Sequence, residues 1–171
     1  MTDNFAERLV KKKPDSSDNM KKFMIILGTV IITAVTMYLA FVTGLYLILA
    51  ITMGVIYGAY YFFRDTNIEY EYTFTNGELD VDKIIGQRRR KHLITINTAK
   101  LIDFGEVNAD TPDNQDATLF LCSDNTDEGE YYADAEDEEY GKIRLIFTPD
   151  EKMVSYIEKT MPRIIKYRKQ R

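Results

Sequence analysis

The sequence predicts a chain of two parts: a membrane α-helical hairpin and a soluble α+β domain. In that domain, antiparallel strands form a bent sheet or barrel that a C-terminal helix caps. Three observations support this fold class. From Phe23 to Phe63, 41 consecutive residues include no Asp, Glu, Lys, Arg or His. Apolar and polar residues then alternate, with turn signals between the runs, over residues 67–148. An amphipathic segment with a helix-start signal ends the chain.

Residues 1–22 form a cytoplasmic amino-terminal segment in this interpretation. Phe5 and Leu9 share one helical face, and Lys11 and Lys12 lie among the charges around it. The pattern predicts either a short amphipathic helix on the cytoplasmic leaflet or a partly ordered tail whose lysines set the membrane topology. A helix of about 11 residues is marginal in water, which leaves both alternatives open.

The apolar stretch 23–63 is long enough for two membrane crossings. At about 1.5 Å per residue it would span about 60 Å, twice the hydrocarbon core of about 30 Å. We therefore predict helices at 23–42 and 45–63, joined by a turn near Gly44. Lysines precede the first helix, Arg64 follows the second, and the turn has no charge. The positive-inside rule then predicts a multi-pass protein of the inner cell membrane with both termini in the cytoplasm.

Small residues on the second predicted helix form a ridge at helical spacing. Ala50, Gly54 and Gly58 are four residues apart, and such ridges let membrane helices approach closely. The ridge predicts helix packing, either within the hairpin or against a second copy or a membrane partner. No ionisable residue lies inside either span, which argues against a proton relay or a transport site.

The strands of the soluble domain, residues 65–171, follow from period-two alternation. Tyr70, Tyr72 and Phe74 alternate with polar residues, and Asn76-Gly77 is a strong hairpin signal. Further strands are predicted at 78–82, 89–97, 101–107, 117–123 and 142–148, with a short one around Tyr131 and Tyr132.

The last predicted element is a helix that begins near Thr148. Thr148 would be the N-cap, Pro149 the first helical residue and Glu151 the partner in a capping box. Pro162 should kink or end this helix. Its apolar face is predicted from the helical spacing of four residues: Met153, Ile157, Met161 and Ile164.

This order of elements resembles the bacterial PH-like domains. The resemblance depends on the strand pair around Tyr72–Leu79, on the basic strand after it, and on the run Ile146–Glu151 that leads into the last helix. Such domains commonly follow a pair of transmembrane helices in small bacterial membrane proteins. The opening Asp3-Asn4-Phe5 is also similar to an uncharacterised two-span bacterial family. The resemblance implies a PH-like fold over roughly residues 20–165 and, because PH-like folds often bind acidic lipids or peptides, a binding role.

The basic run Arg88, Arg89, Arg90 and Lys91 is the main candidate site. Tethered near the inner leaflet, it could bind anionic lipid headgroups or an acidic protein partner. The alternatives are a charged edge strand that resists aggregation and a partner for the domain's own acids. Residues 65–171 carry 15 basic and 23 acidic side chains. A domain with this net negative charge is not expected to bind nucleic acid.

The remaining chemistry-bearing residues predict no enzyme. Nine acidic residues between Asp124 and Glu139 indicate a solvated acidic loop, and Ala135 occupies the position at which a calcium-binding EF-hand needs Glu. Cys122 lies in an apolar run and is predicted as a core residue. No metal, cofactor or nucleophile motif is present, so we expect no cofactor. The predicted partners are the lipid bilayer, anionic lipids, a membrane or cytoplasmic protein, or a second copy of the chain.

Overall fold

The computed structural model of the chain describes residues 4–109, 111–114, 116–126 and 128–165. The chain divides into two units. The first consists of residues 1–13, 69–84 and 88–171, and the second of residues 14–68 and 85–87. The first unit therefore takes its residues from both sides of the apolar stretch, whereas the sequence predicted a domain of residues 65–171 alone.

The first sheet is built by four strands that are neighbours in the chain's strand order. They are β1 (Phe5–Lys11), β2 (Ile68–Thr75), β3 (Glu78–Ile85) and β4 (Arg89–Asn97), and they lie in the order β1-β2-β3-β4. β1 and β2 pair antiparallel along their whole common length, from Phe5 opposite Thr75 to Lys11 opposite Glu69. Asn76 and Gly77 both have positive φ, as the tight turn between β2 and β3 requires.

The amino-terminal prediction is wrong, because Phe5–Lys11 is a strand and not an amphipathic helix. Ala6 and Val10 are buried, whereas Phe5 and Leu9 are exposed. A spacing of four residues fits one face of a helix and one face of a strand equally well. The pairing with β2 decides between them, since it satisfies the backbone groups of the segment.

The second sheet contains the remaining strands. They are β5 (Asp103–Glu106), β6 (Thr118–Leu121), β7 (Tyr131–Asp137) and β8 (Gly141–Phe147), in the order β5-β7-β8-β6. β6 runs parallel to β8, while β7 is antiparallel to both β5 and β8. The prediction of one bent antiparallel sheet is thus corrected: the described residues form two four-stranded sheets, and β6 and β8 pair in parallel. Alternation locates a strand but does not encode its direction.

The C-terminal helix α3 (Glu151–Thr160) packs on the core of this domain. Met153 and Ile157 are fully buried, and the ring of Tyr156 lies 5.8 Å from that of Phe74. The N-cap is Asp150, whose side chain accepts from the Met153 N–H at 2.7 Å. The predicted cap Thr148 is instead buried, and its hydroxyl accepts from the Asp124 N–H.

Pro162 ends α3, as predicted, because its ring prevents the helix from continuing. The break changes the register of the apolar face. Ile165 is buried after it, whereas the predicted Ile164 is 75 % exposed.

Aromatic and sulfur side chains fill the space between the sheets. The ring of Tyr72 meets that of Phe147 edge to face at 5.5 Å, and its hydroxyl donates to the Cys122 carbonyl. Cys122 is 1 % exposed, and burial raises the pKa of its thiol to about 12. Cys122 is therefore a core residue, as predicted.

Two long helices make up most of the second unit: α1 (Ser16–Thr43) and α2 (Ile48–Asp65). α1 begins earlier than the predicted 23–42, because Asp15 caps it by accepting from the Asp18 N–H at 2.7 Å. It ends at Gly44, whose φ of +67° fits the predicted turn. The helices lie against each other, and the Thr52 hydroxyl donates to that of Thr36 at 2.8 Å.

In the described part of the chain, α1 is the one helix that is both long and apolar enough to cross a membrane. Only 6 % of its most apolar stretch is buried, which does not fit the core helix of a soluble protein. α2 has 18 residues, and its last two are Arg64 and Asp65. The two crossings predicted from the sequence therefore remain a proposal.

Candidate functional site

The basic run occupies the start of an edge strand. Arg88 directly precedes β4, and Arg89, Arg90 and Lys91 are its first three residues. β4 is the last strand of the first sheet, and all four side chains are exposed. The predicted site residues are therefore accessible at this edge, with successive strand side chains on opposite faces of the sheet.

Carboxylates of β2 and β3 hold Arg90. Its Nη2 lies 2.5 Å from Oε2 of Glu71, and its Nε lies 3.9 Å from Oδ2 of Asp82. Glu71 is largely buried, and this burial raises the pKa of its carboxyl group. The negative charge of Glu7 adds to the rise in pKa, and the positive charge of Arg90 opposes it. Arg90 therefore compensates a carboxylate of its own domain, as one of the alternative interpretations of the run supposed.

His92 lies in a polar network that the sequence did not predict. Its Nδ1 is 2.8 Å from Oδ1 of Asp82, and its Nε2 is 3.2 Å from the Thr95 hydroxyl. An acid, an imidazole and a hydroxyl in this order are also the parts of a nucleophilic triad. Here, however, Thr95 donates its proton to Asp80 at 2.5 Å and has none left to give to His92. The network therefore fixes these side chains and does not activate a nucleophile.

The feature of the sequence that could have predicted this network is the tight turn between β3 and β4. Gly86 and Gln87 both have positive φ, and Asp82 and His92 lie almost equally far from them along the chain. A hairpin centred on these residues brings Asp82 and His92 together. The turn was missed because Gly-Gln is a weaker turn signal than Asn-Gly.

The same turn is bonded to the end of α2, within the second unit. The Arg64 Nε donates to the Gly86 carbonyl at 3.0 Å, and the Gly86 N–H donates to the Asn67 carbonyl at 2.9 Å. Gly86 has a φ of +59°, and a Cβ there would lie 3.2 Å from the Arg64 carbonyl oxygen, so this close approach favours glycine. After α2 the chain passes through β2 and β3. Just before Arg88, hydrogen bonds at Gly86 then join it again to the C-terminal end of α2.

The predicted packing ridge of α2 does not face α1. Ala50 and Gly54 are exposed, and a Cβ built at Gly54 or Gly58 would have no atom within 4 Å. The intrachain alternative is corrected, because the contact face of α2 contains Thr52, which is half a turn from Ala50 and Gly54. The role of the ridge in docking a second copy or a membrane partner stays a prediction.

The predicted acidic loop 124–139 is partly a strand, since β7 covers Tyr131–Asp137. Asp134 is 6 % exposed and accepts from Arg144 of β8 at 2.7 and 2.6 Å. Net charge marked the segment as solvated, but pairing with β8 buries part of it. Within the described residues, no group of three or more His, Cys, Asp or Glu side chains could hold a metal ion.

A cavity of about 350 Å³ lies beside α3 and is anionic. Its walls include Glu106, Glu151 and Glu158. Burial raises the pKa of Tyr131, which also lines it, and the charges of Glu106 and Glu158 add to this shift. A cavity with this charge would repel a phosphate group. Of these two surfaces of the domain, the basic edge of β4 is the one suited to an anion.

Comparison with known proteins supports the fold. Residues 2–167 match the model of a family described as a bacterial PH-like domain (DUF6106). The chain belongs to this family. The match confirms the PH-like resemblance inferred from the strands and the last helix, and it includes β1. No curated protein and no solved structure matches the chain. The PH-like description states a fold, so the function is argued from the geometry.

Proposed function

We propose that this PH-like protein is a non-enzymatic binding module of the inner membrane. Its helices α1 and α2 would cross the bilayer as a hairpin, and its domain would contact anionic lipid headgroups on the cytoplasmic side. The pairing of β1 with β2 supports the topology. β1 ends just before α1 and β2 begins just after α2, so both ends of the helical segment lead into one sheet.

This pairing supports two crossings over a single one. If α1 crossed the bilayer and α2 did not return, β1 and β2 would lie on opposite sides and their seven residue pairs could not form. α2 carries no charge from Ile48 to Phe63, and Arg64 is its first charged residue. Its uncharged part, Ile48–Phe63, corresponds to about 24 Å, and the apolar residues Leu45–Leu47 before it bring the uncharged stretch close to the hydrocarbon thickness of about 30 Å. A return crossing by α2 is therefore physically reasonable.

The bonds that hold Gly86 to the end of α2 carry the lipid proposal. In a membrane hairpin with cytoplasmic ends, Arg64 lies at the inner surface, and Arg88 follows two residues after Gly86. Each basic side chain near an anionic surface contributes about 1 kcal/mol. The exposed side chains of Arg88, Arg89 and Lys91 would make the contact, together with Arg90 where an anion competes with Glu71 for it.

Sided cysteine labelling tests the topology. In a full-length Cys122→Ala background, Tyr46→Cys lies in the turn between the helices and Glu138→Cys lies between β7 and β8. A membrane-impermeant maleimide should label Tyr46→Cys only from outside and Glu138→Cys only from inside. Labelling of both positions from the same side would overturn the two-span hairpin.

Hydrogen exchange in nanodiscs tests the headgroup contact. We expect residues 87–92 of the full chain to exchange more slowly when phosphatidylglycerol is added to phosphatidylcholine discs. The Arg88→Gln/Arg89→Gln/Lys91→Gln variant should lose this difference. Three exposed lysines elsewhere provide a control with the same loss of charge: Lys142→Gln/Lys152→Gln/Lys159→Gln. Equal exchange in both kinds of disc would contradict lipid binding and favour a protein partner for this edge.

A second candidate function is that of an accessory subunit in a larger membrane complex. The open face at Gly54 supports it, since no atom of the described chain occupies the space in front of this glycine. Membrane crosslinking of the wild type and of Gly54→Ile tests this role. A complex that persists unchanged in Gly54→Ile would argue against docking through the ridge.

A further inference from the structure

The contact between α1 and α2 leaves an apolar groove of about 270 Å³. Its residues come from both helices: Ile25, Ile26, Thr29, Val30, Ile56, Ala59, Tyr60 and Phe63. Thr29 and Ala59 are small, so the helices leave space between their larger neighbours. The lining residues belong to the start of α1 and the end of α2, so the groove lies in the half of the two helices that is close to Lys22 and Arg64.

The lining of the groove suits a hydrocarbon chain. The hydroxyl group of Thr29 donates a hydrogen bond to the Ile25 carbonyl at 2.6 Å. Its proton is therefore used within α1, and the methyl group of Thr29 adds to the apolar surface. An apolar groove that opens toward the acyl region of a bilayer is filled by lipid chains or by another helix, since water gains no hydrogen bonds there.

A cation lies at one end of the groove. The Nζ of Lys22 is 5.6 Å from the ring centroid of Phe63, which lines the groove, and 3.3 Å from Oδ1 of Asn67. An ammonium group next to an acyl groove matches a lipid with a negatively charged headgroup. This charge complementarity distinguishes an anionic lipid from a neutral lipid and from an apolar partner helix.

We propose that this groove is a binding site for one anionic phospholipid. One acyl chain would lie between Thr29 and Ala59, and the phosphate would meet Lys22. The proposal rests on the membrane hairpin proposed above and is separate from the headgroup contact of β4. It assigns lipid recognition to the helices themselves.

Brominated lipids provide the test, because the chain has no Trp. Tyr60→Trp places a single Trp in the groove wall, and Tyr57→Trp places it at a residue of α2 that does not line the groove. The full-length variants are reconstituted with phosphatidylcholine and with brominated phosphatidylglycerol or brominated phosphatidylcholine. Quenching at Tyr60→Trp should show about a fivefold preference for phosphatidylglycerol, as expected for one lysine near an anionic headgroup. Tyr57→Trp should show none.

Two further changes in the Tyr60→Trp chain separate the groove from the general lipid environment. Ala59→Leu should fill the groove and abolish the preference, while Ala34→Leu at an exposed position of α1 outside the groove should leave it unchanged. Lys22→Gln should also abolish the preference.

Three outcomes would overturn the proposal. One is an equal preference at Tyr60→Trp and Tyr57→Trp, and another is a preference that survives Ala59→Leu. The third is quenching at Tyr57→Trp alone, which would mean that another helix occupies the groove. If neither Trp is quenched by either lipid, the membrane hairpin itself fails, which distinguishes that failure from an empty groove.

Discussion

Two arginines of the domain meet carboxylates in opposite environments. Arg144 is 9 % exposed, and three of its nitrogens are used by Asp134 and by the Pro112 carbonyl. The side chain of Arg90 is 58 % exposed, and it lies closer to the carboxylate of Glu71, at 2.5 Å, than to that of Asp82, at 3.9 Å. The buried arginine joins β7, β8 and the loop at Pro112, so it serves the fold. The exposed one is a contact that an outside anion can compete for.

Breaking the buried pair should give the largest effect. In Arg144→Ala, the carboxylate of Asp134 stays buried without its partner, which costs about 3–5 kcal/mol. Urea unfolding of the full chain in detergent, followed by circular dichroism, measures the loss. Lys142→Ala changes an exposed residue of the same strand and should stay near the wild type.

A double substitution sharpens this prediction. Arg144→Met with Asp134→Leu removes both charges, and such replacements of buried pairs are often neutral or stabilising. We therefore expect the double variant to be more stable than Arg144→Ala. If both variants lose the same stability, the packing of Arg144 against the Tyr132 ring at 5.0 Å matters more than its charge.

The sequence predicted the strand that carries Arg144 but not its burial. Ile143 and Leu145 mark the inner face of β8, so alternation places Arg144 on the outer face. The loop at Pro112 covers that face through a hydrogen bond to Arg144, and no periodic pattern encodes such a contact. β2 and β3 were predicted more accurately, because Asn76-Gly77 fixes their hairpin within the local sequence.

The same contrast between buried and exposed positions exists within β1. Val10 is 6 % exposed and Leu9 is 57 % exposed. Val10→Asp would bury an unpaired carboxylate and should cost about 3 kcal/mol, whereas Leu9→Asp should be nearly neutral. Urea unfolding of the two full-length variants checks the difference. The reverse order would support the amphipathic helix on the membrane that the sequence had suggested.

A third prediction concerns the pH dependence of stability that the buried Cys122 thiol causes. Below pH 9.0, the ordinary pKa of the thiol, Cys122 is protonated in both states. Above it, the unfolded chain loses the proton first, because burial raises the folded pKa to about 12. Stability should therefore fall by about 1.4 kcal/mol per pH unit between pH 9 and 12 from this group. Cys122→Ala should show a shallower slope over this range, and an unchanged slope would contradict the assignment.

The smallest effect is expected for Arg90→Gln. An ion pair that is half exposed contributes about 0–1 kcal/mol, and salt screens it. The pH dependence of this contribution is more informative than its size.

Burial already raises the pKa of Glu71, so above the ordinary value of 4.5 the Glu71 carboxyl group of the unfolded chain releases its proton first and stability falls with pH. Without Arg90 that pKa rises further, so Arg90→Gln should lose more stability at pH 7 than at pH 4, and Arg89→Gln should not. A loss that is equal at both pH values would mean that the ionisation of Glu71 does not depend on Arg90.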